Sequence, residues 1–196
     1  MNNTIKYIAL GAVALTGFTA CSDDEANVFE DSAAIRLENY KKQYEEILVD
    51  KGGKWAMEYF TNEEEPGYVF VMTFNKNGGV EVTGMNKYVD LEYNTTNAAH
   101  TAESAWEIIT DNGPVLTFNT YNDVFHIFSR PEDIQDGKTN PDTGREIIET
   151  GYGHSGDYEF MFMEVQDENT VRLRGKKRGY ATYLRRLPAD TDDATY

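Results

Sequence analysis

The period of the hydrophobic pattern changes at Gly52-Gly53, and that change constrains the fold of these 196 residues more than any other feature. Upstream, Leu37, Tyr40, Tyr44, Ile47 and Leu48 recur at spacings of three and four, the repeat of one helix face. Asp31 or Ser32 stands where a helix cap belongs, and the glycine pair supplies the positive φ that ends a helix. Downstream the period drops to two. Strands are expected at Lys54–Phe60, Tyr68–Phe74, Val80–Gly84, Ala105–Thr110, Val115–Phe118, Tyr158–Val165, Val171–Gly175 and Ala181–Leu187, with a short apolar one at Val124–Phe128 and a weaker one at Tyr88–Tyr93. Tyr158–Val165 is apolar on both faces and reads as a strand buried on both sides. Asn75-Lys76-Asn77-Gly78-Gly79 and Asp111-Asn112-Gly113-Pro114 are strong hairpin turns by composition, whereas Asn94–Thr101 and the stretch holding Pro131 and Pro141 read as polar loops.

Short strands at near-even spacing, joined mostly by tight turns, specify an antiparallel up-and-down sheet. Such a sheet closes because closure removes its unpaired edges. The fold class is therefore mainly β: a barrel of eight or nine strands with one N-terminal helix over 33–49 that caps an end or packs across a side. Trp55, Phe70, Phe74, Leu116, Phe118, Phe160 and Leu173 are its expected core.

The first twenty residues read differently. Lys6 precedes a short apolar run, Tyr7 to Phe18, and then Thr19-Ala20-Cys21. A basic start, an apolar run of that length and small residues at the cut site mark an export signal. The run falls short of the roughly 20 residues a membrane-spanning helix needs. A cysteine directly after the small pair resembles a bacterial lipobox, which implies that the Cys21 thiol receives diacylglycerol. Ser22-Asp23-Asp24-Glu25 then opens an acidic tether. The expected organisation is a signal peptide over 1–20, a tether over 21–31, one domain over 32–188 and a disordered tail over 189–196. Cys21 is the only cysteine, so stability must come from a core and not from crosslinks.

Without residues 1–20 the chain carries 17 lysines and arginines against 34 acids, a formal charge of −17. That balance argues against nucleic acid, whose phosphates require a cationic face. No zinc or other cofactor is expected: His100, His126 and His154 have no helical i,i+4 pairing, and no cysteine remains for a metal. His154, Ser155 and Asp157 are the residue types of a hydrolase triad, but crowding into one glycine-rich loop disfavours a triad's in-file geometry. The alternative for that loop is a tight bulge in which Asp157 bonds its own backbone amides. Asn140-Pro141-Asp142-Thr143-Gly144 lacks the length and closing acid of a calcium loop. Candidate ligand-binding residues are Tyr121, Asn122, His126 and Tyr152, although for His126, inside the apolar run Val124–Phe128, the favoured reading is a buried, hydrogen-bonded structural histidine. Arg172, Arg174, Lys176, Lys177 and Arg178 form a candidate anion patch, whose structural alternative is pairing with acids of neighbouring strands such as Glu159.

The acidic tetrad after Cys21 resembles the surface-export signal of Bacteroidetes lipoproteins, and Gly53-Lys54-Trp55 resembles the opening of lipocalin-like barrels. With that opening, the blocks Gly113–Asn122, His126, Pro131, Gly156-Asp157-Tyr158-Glu159-Phe160 and Leu173-Arg174-Gly175-Lys176-Lys177 resemble the Bacteroidetes lipoprotein domain-of-unknown-function 4302 family. The resemblance implies an outer-membrane lipoprotein facing the cell exterior near nutrient-uptake machinery, with a transporter or neighbouring lipoproteins as partners and a glycan or peptide as ligand. It implies no reaction. The alternatives are a structural subunit with a filled barrel and, further off, a hydrolase.

Overall fold

The structure is a computed structural model that describes residues 31–61, 66–130, 134–139, 142, 146–149, 154 and 156–195. The signal segment, Cys21 and Ser22–Glu25 lie outside these residues, as do Asn140, Pro141, Thr143, Gly144, Tyr152 and Ser155. Residues 1–36 and 37–196 form separate compact units, and every strand belongs to the second.

Helix α1 runs Ala33–Val49, and the Ser32 hydroxyl accepts from Ile35 N at 3.3 Å as its cap. A single 3₁₀ turn comes next, and Gly53 stops the helix with φ 67°. Only glycine fits there, because a Cβ would strike the Phe74 carbonyl oxygen. From Lys54 the chain becomes a nine-stranded antiparallel sheet: β1 (Lys54–Tyr59), β2 (Tyr68–Phe74), β3 (Gly79–Gly84), β4 (His100–Ala105), β5 (Glu107–Thr110), β6 (Pro114–Thr117), β9 (Glu159–Asp167), β10 (Thr170–Gly175) and β11 (Ala181–Arg186). The order across the sheet is β4-β3-β2-β1-β11-β10-β9-β6-β5, curled into a nearly closed barrel. Strands β7 (Ile134–Thr139) and β8 (Glu146–Glu149) form a separate antiparallel pair inside the stretch expected as a polar loop.

Both edges of the large sheet belong to one bent run of chain. β4 pairs with β3, and β5 pairs with β6. Between them Trp106 donates its backbone N–H to Gly78 O at 2.8 Å and its indole N–H to Asn75 O at 3.3 Å. The expected strand Ala105–Thr110 is therefore longer, starting at His100 inside the expected loop, and it bends where the buried tryptophan turns inward. The large sheet has nine strands, and this one run of chain supplies two of them.

Three expected elements are corrected. Tyr88–Tyr93 is not a strand but part of helix α2 (Lys87–Tyr93), because the Asn86 carboxamide accepts from Tyr88 N and Val89 N. Tyr88 and Val89 are then both buried, which adjacent residues of a half-buried strand cannot achieve. Val124–Phe128 is a turn followed by a 3₁₀ segment, His126–Phe128, in which every side chain is buried. A run buried all round carries no period to read. Finally, β9 lies mid-sheet but is not buried on both faces: Phe160 is inside, and Met163 is 49 % exposed. Helix α1 reaches Phe162 of this strand and leaves Met163 open to solvent.

All seven expected core residues are essentially fully buried. The interior is packed with rings. Tyr59 lies 5.2–6.0 Å from the centroids of Phe70, Phe125, Phe128 and Phe160, and Phe118 lies 4.9 Å from Phe125, within the range of favourable aromatic contact. Burial in this cluster holds the Tyr59 hydroxyl protonated well above the ordinary tyrosine range, and it donates to Asp157 O at 3.0 Å. Near the start of β1, α1 packs Leu48 into the core, stacks Tyr44 on Phe162 at 4.1 Å, and accepts the Trp55 indole N–H at Leu48 O. Arg186 lies 4.1 Å over the Trp55 ring and donates to Ile47 O, Asp50 O and Glu168 O.

Past Leu187 the chain returns to the barrel at Thr191 and Asp193. Leu187 packs on Ala56 and Val71 outside the barrel, and Lys54 Nζ donates to Thr191 O at 2.9 Å and Asp193 Oδ1 at 2.7 Å. The acidic composition that suggests a loose tail is what meets this lysine.

Candidate functional site

The segment after β6 runs beside the free edge of β4 and brings the candidate residues together. Thr120 Oγ1 accepts from Ala105 N at 2.7 Å. Asn122 is fully buried and uses both ends of its carboxamide. Its Nδ2 donates to Ala102 O at 3.0 Å, and its Oδ1 accepts from Val124 N at 3.0 Å and Phe125 N at 2.9 Å. The sequence places Asn122 among ligand contacts; the structure places it in the wall, because both polar atoms of its side chain are already engaged. The same bonds explain why 124–128 folds as a turn.

His126 is buried beneath it. Its Nδ1 accepts from Asn122 N at 3.0 Å, which leaves the ring proton on Nε2. Burial lowers its pKa, opposed by backbone bonding at Phe118 and Asn122. Tyr121 and Tyr158 flank this ring with centroids 5.3 and 5.5 Å away, tilted 33° and 37°. Both tyrosines are about half exposed, at 51 % and 45 %. The result is a row of three rings, the central one fixed and the outer two open to solvent. Beside it Tyr93 stacks on His100 at 4.1 Å, and Arg130 forms a doubly bonded pair with Glu92 at 2.8 and 3.2 Å. Arg130 also donates to the Tyr121 hydroxyl. Desolvation nevertheless leaves the Tyr121 pKa raised.

Of the four ligand candidates, then, Tyr121 and His126 meet, Asn122 is structural, and Tyr152 lies outside the described residues. Tyr158 is the residue missed. It sits just before β9, in a run that alternates apolar side chains, and so reads as core. Its exposure depends on the partner loop that only the fold brings there.

Two side chains of the basic hairpin, Lys176 and Arg174, are held by their neighbours. Lys176 Nζ lies 3.2 Å from both Asp111 and Glu159, and Arg174 Nε donates to Gly179 O. The turn is anchored by Asp157, whose carboxylate accepts from Lys177 N at 2.8 Å and Arg178 N at 3.0 Å. The amides are therefore those of another turn and not of its own loop. Burial raises the Asp157 pKa, and these two amides partly offset the shift. Gly175 is the neighbour that makes room, since a Cβ there would collide with this carboxylate. His154 is buried with its ring 3.9 Å from Tyr88 and 5.2 Å from Phe128, inside the aromatic packing.

Clefts of about 630 and 550 Å³ lie outside the barrel, where α1 meets the β2–β3 turn, and are lined by Glu46, Val49 and Lys76 together with other charged groups. No group of three or more metal-ligating side chains forms among the described residues. A family model described as a domain of unknown function (DUF4302) matches residues 25–196. No curated protein and no solved structure matches the chain.

Proposed function

The chain belongs to the DUF4302 family, and from that membership we propose that it is a surface-exposed outer-membrane lipoprotein that binds its ligand on the outside of a solid barrel. In this reading Cys21 carries the lipid, Ser22–Glu25 directs export to the surface, and the domain serves nutrient uptake without catalysing a reaction. One observation carries the ligand reading: in the described interior the protein's own rings pack against one another, while Tyr121 and Tyr158 stand half exposed beside a fixed imidazole.

Exposed tyrosine faces offer an electron-rich surface for the C–H face of a sugar, and nearby polar groups fix its orientation. Glu92 and Asp123, whose charges act on Tyr121, and the formal charge of −17 without residues 1–20 disfavour an acidic sugar. The ligand class is therefore a neutral glycan. A glycan array probed with residues 22–196 tests this. Binding by the native protein that is lost in the Tyr121→Ala/Tyr158→Ala double variant supports the reading, and binding retained by that variant removes the site.

The close packing of rings inside also favours a second reading, a structural subunit that takes no ligand and contacts a transporter or neighbouring lipoprotein. An array with no binder, together with cross-linking of the protein to a transporter in intact cells, selects that reading.

A further inference from the structure

The chain contains two Asn-Gly pairs, both in hairpin turns and both with the asparagine exposed. Asn77-Gly78 lies between β2 and β3, and Asn112-Gly113 lies between β5 and β6. An asparagine before glycine is open to attack by the next residue's own nitrogen. Glycine, with no Cβ, leaves its amide unshielded and its backbone free to bend toward the asparagine side chain. By sequence the two pairs are equally susceptible; the fold separates them.

At the first turn, Gly78 N donates to Asn75 O at 3.0 Å, and Gly78 O accepts from Trp106 N at 2.8 Å. Asn77 Oδ1 accepts from Gly79 N at 3.0 Å. The attacking nitrogen and the carboxamide it would attack are therefore both engaged. At the second turn, Asp111 N donates to Gly113 O at 3.0 Å. Neither the Asn112 carboxamide nor the Gly113 N–H has a hydrogen-bond partner among the described residues. A Cβ at Gly113 would meet nothing within 4 Å, so the space beside it is open.

We propose that Asn112 is a site of spontaneous deamidation in the folded protein and that Asn77 is protected from it. The Gly113 N–H gives its proton to water or hydroxide, and the nitrogen attacks Asn112 Cγ. The bond from Cγ to Nδ2 breaks, and Nδ2 takes up a proton and leaves as ammonia, which closes a succinimide ring. Water then adds to either ring carbonyl and breaks its bond to nitrogen, giving aspartate or isoaspartate. Nothing is oxidised or reduced, and water is the co-reactant. Each event adds one negative charge beside Asp111, whose carboxylate meets Lys176 Nζ at 3.2 Å. The isoaspartate product also adds one carbon to the backbone of a turn held by the pairing of Thr110 with Pro114. The modification thus falls where the β5–β6 hairpin, at the edge of the sheet, is tied to the β10–β11 turn. It needs no ligand, and its residues are separate from the aromatic row.

The test incubates residues 22–196 in mildly alkaline buffer, once folded and once unfolded in guanidinium chloride. Peptide mass spectrometry follows the conversion of amide to acid at each asparagine. In the folded protein Asn112 should convert about tenfold faster than Asn77 or more, because attack at Asn77 first requires the loss of two hydrogen bonds. In the unfolded chain the two rates should approach each other. Asn112→Gln keeps an exposed carboxamide, so it should fold normally, but its larger ring closes far more slowly. That variant should lose the acidic species that anion exchange resolves from the aged native protein. An Asn112 that stays intact in the folded protein while the unfolded chain converts overturns the proposal. So does a ratio of the two rates no larger folded than unfolded, because it assigns the difference to the flanking residues and not to the fold. Acidic species that persist in Asn112→Gln place the reaction elsewhere and overturn it as well.

Discussion

Replacing Asn122 with alanine separates a wall residue from a ligand contact. The substitution strands the N–H groups of Val124 and Phe125 and leaves Ala102 O without its donor. Asn122 is 0 % exposed, so water does not reach the two amides directly. An unsatisfied buried donor costs about 1–3 kcal/mol, so two donors cost about 2–6 kcal/mol. Partial opening of the segment relieves some of that, and the expected loss is about 3 kcal/mol. Against a total stability of roughly 5–15 kcal/mol this is a large fraction. Asn122→Ser keeps a shorter acceptor at the capping position and should recover part of the loss. Urea unfolding followed by tryptophan fluorescence reads the change as a shift of midpoint, and both reporters, Trp55 and Trp106, are buried. A loss below about 1 kcal/mol would show that the segment closes the edge of β4 without this side chain, and the wall role would fall.

Phe160→Ala removes a fully buried ring from the aromatic cluster and should cost about 3–5 kcal/mol, read in the same assay. His126 has a folded pKa below its ordinary 6.5, so its contribution to stability is complete above pH 6.5 and is lost as pH falls below that value toward the folded pKa. Unfolding midpoints at pH 7.5, 6.5 and 5.5 should decline in the native protein and decline less in His126→Gln. Gly53→Ala should lower the melting temperature because the position needs φ 67° and has no room for a Cβ, and an unchanged melting curve would contradict the helix stop. Cys21→Ser should leave an uncleaved precursor that takes up no labelled palmitate. Alanine at Asp23, Asp24 and Glu25 should make the protein inaccessible to external protease in intact cells, and unchanged accessibility would reduce the tetrad to a tether.

The architecture was legible wherever local chemistry and burial agree. Asn75–Gly79 and Asp111–Pro114 turn the chain by their own residues, and Trp55 to Phe74 alternates because one face of each strand meets the core. Where tertiary partners decide, the pattern misleads. Tyr88–Tyr93 alternates like a strand, yet the Asn86 cap makes it helical. Val124–Phe128 is apolar throughout because it is buried on all sides, and Asn122 sets its conformation from outside the run. The candidate site divides in the same way. Tyr121 and His126 were identifiable because they stand close together in the sequence. Tyr158 is far from His126 in sequence, and only the pairing of β6 with β9 brings it there. Lys176 of the basic hairpin meets Asp111, from a distant turn, as well as the Glu159 that the strand pattern offered.

A solid barrel with an external binding surface is tested most directly by a crystal structure of residues 22–196 taken under xenon pressure, since xenon enters apolar cavities that a protein leaves empty. No xenon is expected among Tyr59, Phe70, Phe125, Phe128 and Phe160, whose rings already fill the space between them. A xenon peak or an ordered ligand between those rings would contradict a solid interior and make the barrel a carrier.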